Sequence, residues 1–99
     1  MTYAEIGTMV GNLVQEKNDA YGDSFNKSGE IMRILYPMGI GTEQMDDALA
    51  VVRIVDKLFR IATNGTAFGE SPFLDIAGYG VLGAERHQME DETKGTVPT

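Results

Sequence analysis

The chain has 99 residues, 42% of them hydrophobic, with no cysteine, one histidine and a formal charge of −7. That length makes one domain with a modest core, so a homo-oligomer that shares its core between copies is expected. The anionic balance disfavours counterion-release binding to DNA or RNA, and the absence of cysteine excludes disulfides and thiolate zinc sites and suits a reducing cytosol. Neither a signal peptide nor a membrane span is visible, because Glu5 and then Arg53, Asp56 and Lys57 interrupt the apolar stretches.

Thr2-Tyr-Ala-Glu5 reads as a capping box, and Ile6, Met9, Val10, Leu13 and Val14 follow at amphipathic spacing. This predicts a helix from Tyr3 to about Ala20, ended by Tyr21-Gly22. Its apolar stripe is expected to face the core, leaving Asn12, Glu16 and Asp19 along one edge. Ser28 is expected to cap a short second helix through Ile31, Ile34 and Leu35, closed by Pro37, Gly39 and Gly41. Thr42 caps a third helix of roughly twenty residues on Met45, Leu49, Val52, Val55, Phe59 and Ala62, and Asn64-Gly65 stops it.

After a loop over Ala67–Pro72, Ser71 and Pro72 read as the N-cap and first residue of a fourth helix. That helix carries Phe73, Ile76, Ala77, Val81 and Ala84 on one side, with Gly78, Gly80 and Gly83 inside it. Each interior glycine costs about 1 kcal/mol relative to alanine, so three of them imply close approach by a helix or a ligand. Residues 90–99 are polar and are expected to form a disordered tail. The predicted fold is all-α, a compact bundle of about four helices over residues 1–89, completed by oligomerisation.

Several groups could carry chemistry. Glu16 and Asp19, three apart on one helical face, can share Mg²⁺ or Mn²⁺; the plainer reading is a solvated acidic edge beside Lys17. In Arg53-x-x-Asp56-Lys57-x-x-Arg60 the carboxylate either belongs to an intrahelical ion-pair ladder or ligates a metal, with Lys57 or Arg60 reaching phosphate oxygens. Asp75 and Tyr79 stand four apart with Gly78 between them, which suits a flat ligand; Asp75 also favours the helix dipole. His87 reads as a solvated partner of the helix C-terminus, and Met9 and Met45 as core filler. Met38-Gly-Ile-Gly41 lacks the lysine and the preceding strand of a phosphate loop.

Lys17-Asn-Asp-Ala-Tyr-Gly22 with Phe25, then Arg53-Ile-Val-Asp-Lys-Leu-Phe-Arg60, then Ala67-Phe-Gly-Glu-Ser-Pro-Phe-Leu-Asp-Ile-Ala-Gly-Tyr79, resemble the first nucleotide modification associated domain family of bacteriophages and prophages. The resemblance spans residues 8 to 84 and implies a small protein of an infected bacterium's cytoplasm. A more distant likeness is to the MazG-like all-α NTP pyrophosphatases, oligomers that hold Mg²⁺ on E-E-x-x-E and E-x-x-D helices. Here Gln15-Glu16-x-x-Asp19 and Arg53-x-x-Asp56 keep only part of that set.

The resemblances imply a nucleotide pocket among helices one, three and four. In it Glu16, Asp19 and Asp56 form the catalytic and Mg²⁺- or Mn²⁺-binding set, with Asp75 as a further ligand. Lys17, Lys57 and Arg60 neutralise phosphate, while Asn18, Tyr21 and Tyr79 contact base or sugar. The rival expectation is a non-catalytic binder that sequesters a nucleotide or nucleotide-derived signal, or a protein-interaction module. A third is that Arg53, Asp56 and Arg60 fix a dimer interface.

Overall fold

The computed structural model describes residues 1–65 and 69–93. These form four helices, α1 (Tyr3–Ala20), α2 (Ser24–Leu35), α3 (Met45–Asn64) and α4 (Pro72–Thr93), with a 3₁₀ turn (Thr42–Gln44) leading into α3. Among the described residues there is no strand, so the fold is all-α. The central helix is α3, which packs against α1, α2 and α4. Apolar burial is slight: Ala48 and Val55 of α3 and Ala20 at the end of α1 are the buried hydrophobic residues.

The Thr2 half of the capping box forms. The Glu5 backbone N–H donates to Thr2 Oγ1 at 3.2 Å, and the Thr2 hydroxyl donates to Glu5 Oε1 at 3.1 Å, satisfying a donor that the first turn leaves orphaned. At the other end Tyr21 N–H donates to the Lys17 carbonyl and Asp23 N–H to that of Asn18. Gly22 (φ 62°) and Asp23 (φ 59°) both sit in the left-handed region, and the chain re-enters a helix immediately. The second helix therefore starts at Ser24, not at Ser28. Ser28 lies inside it, its hydroxyl donating to the Ser24 carbonyl at 2.6 Å.

Gly22 cannot be replaced without cost. A Cβ there would collide with the Thr63 hydroxyl on α3, and the positive φ disfavours any L side chain. Gly22→Ala is expected to lower stability by about 1–2 kcal/mol, read as an earlier urea midpoint at fixed protein concentration.

Three further expectations change. Thr42 opens the 3₁₀ turn instead of capping α3 directly; the Gln44 side chain reaches back to accept from Gly41 N–H at 2.9 Å. The apolar stripe of α1 does not face the core. Every residue from 3 to 17 is exposed, because α1 meets α3 through its C-terminal end, where Ala20 is the buried residue. Nor do the α4 glycines mark a close approach within the chain, since a Cβ on Gly78, Gly80 or Gly83 would have nothing within 4 Å.

The helix α4 itself continues to Thr93, past the start of the expected tail at Glu90. Once a helix is under way each added residue gains a hydrogen bond, and Gln88, Met89 and Glu90 are good helix formers, so an apolar period is not required. Residues 94–99 of that tail, and 66–68 of the expected loop, lie outside the described residues.

Candidate functional site

Where α1, α2, α3 and α4 converge, they enclose an open groove of about 730 Å³. The C-terminal half of α1 supplies one wall through Leu13, Val14, Lys17, Asn18 and Tyr21. These positions follow at intervals of three and four, so the apolar stripe runs directly into the groove and carries Lys17 and Tyr21 in with it. The first turn of α2 adds Ser24, Phe25 and Asn26, α3 adds Arg53, Asp56 and Lys57, and α4 adds Tyr79.

Three cations thus face the groove against one lining carboxylate, Asp56, although the chain as a whole is strongly anionic. Each cation on α3 lies over an aromatic ring. The Arg53 guanidinium is 5.9 Å from the Tyr79 ring centroid, and Lys57 Nζ is 5.9 Å from that of Tyr21. Those distances fall within the range at which a ring quadrupole attracts a cation. Asp56 is approached from α2, the Ser28 hydroxyl oxygen lying 3.4 Å from its Oδ1.

Lys57 also ties α3 to α4, its Nζ 3.1 Å from Asp75 Oδ2. The lysine side chain is 17% exposed and the aspartate 37%. Burial works against the ammonium charge, but the hydrogen bond to Asp75 and the charges of Tyr21, Asp75 and Tyr79 outweigh it, leaving the Lys57 pKa above its ordinary value. A lysine raised by folding contributes stability that is fully present below its unfolded pKa and lost as pH rises through the folded one. The Lys57–Asp75 contribution is therefore expected to hold through neutral pH and fade above about pH 10. Lys57→Met should show a smaller drop in melting temperature than wild type across that alkaline window.

Six of the residues expected to form the site line the groove: Lys17, Asn18, Tyr21, Asp56, Lys57 and Tyr79. Asp75 stands beside it as the partner of Lys57. Glu16 and Asp19 do not line it. At about 100° per residue, Asp19 points roughly half a turn away from Lys17, and Glu16 lies one step round from it on the same outer edge. Both are exposed, and Asp19 accepts a hydrogen bond from Gln15 Nε2 at 3.0 Å.

Arg60 is likewise not at the groove. It is 1% exposed, and its Nη2 donates to the Glu70 carbonyl, so it fastens the segment leading into α4. The four carboxylates expected to hold a divalent ion do not fit together as one ligand set, and among the described residues no three His, Cys, Asp or Glu side chains gather in a metal-holding group. His87 belongs to a different cluster: its Nε2 lies 2.8 Å from Asp47 Oδ2, and Arg86 Nη1 donates to Asp47 Oδ1 at 3.2 Å, joining α4 to the start of α3.

Six lining residues fall outside the expected site: Leu13, Val14, Ser24, Phe25, Asn26 and Arg53. The signal for Arg53 was present in the sequence, since it stands three and four residues before Asp56 and Lys57 on one helical face.

Comparison with protein-family models, with curated proteins and with solved structures finds no match. The site is therefore read from its own chemistry. Among the described residues no helix is long and apolar enough to cross a membrane.

Proposed function

We propose that the groove binds a nucleotide or a nucleotide-derived anion and holds it without hydrolysis. The observation that carries this reading is the convergence of Lys17, Arg53 and Lys57 with the rings of Tyr21 and Tyr79 in one groove. Cations meet phosphate oxygens, with the guanidinium of Arg53 able to contact two at once. Aromatic faces receive a base, and Asn18 offers both a donor and an acceptor to its edge. The volume lies within the range of small-molecule sites.

The global charge sharpens the choice of ligand. A polymer of phosphates would run out over a surface of net −7, whereas a small anion stays within a Debye length of the three cations. The resemblance to phage nucleotide-associated proteins points to the same ligand class and to the cytoplasm of an infected bacterium. Binding is favoured over pyrophosphohydrolysis because Asp56 is the one carboxylate among the groove's lining residues. A phosphoryl-transfer site needs its charge-neutralising ions fixed in place by the protein.

Calorimetry with each ribo- and deoxyribonucleoside triphosphate, with and without EDTA, tests the proposal. Saturable binding unchanged by EDTA is expected, with no monophosphate formed when Mg²⁺ is supplied. Release of monophosphate and pyrophosphate would replace the binder by the hydrolase. The absence of binding by any nucleotide would remove both.

A further inference from the structure

Among the described residues the apolar stripe of α1 has no cover. Ile6, Met9, Val10, Leu13 and Val14 are between 40 and 58% exposed, although they repeat at the spacing of a core-facing helix. The whole chain shows the same deficit. Its accessible surface is 7516 Å², against about 5,500 Å² for a folded monomer of 10.8 kDa. Its radius of gyration is 17.5 Å, against about 13 Å for a compact domain of this length. The excess surface, about 2,000 Å², is more than the roughly 800 Å² that one partner of a standard stable interface removes from water.

A second copy of this chain is the occupant that fits. The buried apolar set of Ala20, Ala48 and Val55 is too small to hold four helices together, so cover is needed for folding itself and must always be at hand. Geometry then selects the direction. The C-terminal half of α1 already lies beside α3, while its N-terminal half has no body next to it. Antiparallel pairing lays each uncovered half along the other copy's groove wall, and it also opposes the helix dipoles.

We propose that α1 pairs antiparallel with α1 of a second copy through Ile6, Met9, Val10 and Leu13, and that the N-terminal half of the partner helix, with its tyrosine at position 3, closes the open side of the groove. Within its own chain Tyr3 is 96% exposed and about 21 Å along α1 from Lys17, beyond reach of any ligand held there. Two-fold pairing about the midpoint of that set, between Met9 and Val10, brings it level with Glu16 and Lys17 of the other copy. The binding site is then composite, formed only in the dimer. The closing of the groove rests on the ligand reading above; the pairing does not.

Sedimentation velocity on a dilution series of wild-type protein should give twice the chain mass, and Val10→Glu should give a single chain. With dATP in EDTA as the probe, Tyr3→Ala and Lys17→Ala should each remain dimeric and each bind at least about tenfold more weakly than wild type. Mixing and re-equilibrating the two variants should restore wild-type affinity in about a quarter of the sites, since each mixed dimer holds one groove with an intact lysine and an intact partner tyrosine. A wild-type monomer at every concentration, a dimer indifferent to Val10→Glu, or mixed dimers with no restored sites would overturn the proposal. If Val10→Glu fails to fold, the mixing experiment stands without it. If wild type is dimeric and binds no dATP or other nucleotide, the ligand reading fails, and the pairing is decided by the masses of wild type and Val10→Glu.

Discussion

Replacing Arg60 with alanine is expected to lower the free energy of unfolding by about 3 kcal/mol, against a total of about 5–15 kcal/mol for an ordinary domain. Among the described residues the side chain is the most deeply buried, 1% exposed near the end of α3. Its guanidinium donates to the carbonyl of Glu70, ten residues further on, and so anchors the turn from which α4 departs. A hydrogen bond from a charged donor contributes about 1.5–3 kcal/mol, and the emptied space beneath α4 adds a cavity term. Arg60→Met restores most of the stem volume without the donor, so it is expected to lose only about half as much. Urea unfolding at one protein concentration measures both. If instead Arg60→Ala kept the wild-type midpoint and lost nucleotide binding, the residue would belong at the phosphates, where the sequence first suggested it.

Arg60 shows where reading from sequence ends. On a helical wheel it shares a face with Arg53, Asp56 and Lys57, and local spacing cannot distinguish the member that turns inward. Only the return of the chain at Glu70 does so. Local signals were otherwise informative: the Thr2 cap, the Tyr21-Gly22 exit, the Asn64-Gly65 stop and the Ser71-Pro72 start each mark an observed boundary. They succeed because capping and turn geometry depend on residues within one turn of each other.

The acidic pair Glu16 and Asp19 misled for the same reason that Arg60 did. Spacing places both on one edge of α1, which is correct, but whether that edge faces the groove is set by the packing of α1 against α3. The stripe offered a better guide. Leu13, Val14, Lys17 and Tyr21 are continuous with it, and a cation and a tyrosine embedded in an apolar face point to a ligand more directly than two acids on a solvated edge.

Reversing the charge at Arg53 is expected to weaken triphosphate binding about a hundredfold, while neutralising Glu16 and Asp19 together changes it less than about twofold. One unit charge about 5 Å from a phosphate is worth about 3 kcal/mol at an effective dielectric of 20. Arg53 is exposed, so water and salt reduce this to about 1.4 kcal/mol, a factor of ten, for each unit removed. Arg53→Ala should therefore cost about tenfold and Arg53→Glu about a hundredfold, with both losses shrinking as ionic strength rises. Because Arg53 lies at the surface, Arg53→Ala should leave the urea midpoint within about 0.5 kcal/mol of wild type, separating a ligand contact from a structural one. The double variant Glu16→Gln, Asp19→Asn gives the opposite sign under the two readings. If those carboxylates held a divalent ion for the phosphates, binding in Mg²⁺ would fall steeply. In the groove described here they stand outside the lining, and removing two negative charges strengthens attraction for an anion slightly. Titration of both variants with dATP, in Mg²⁺ and in EDTA, decides between a metal-assisted site and a cationic, aromatic one.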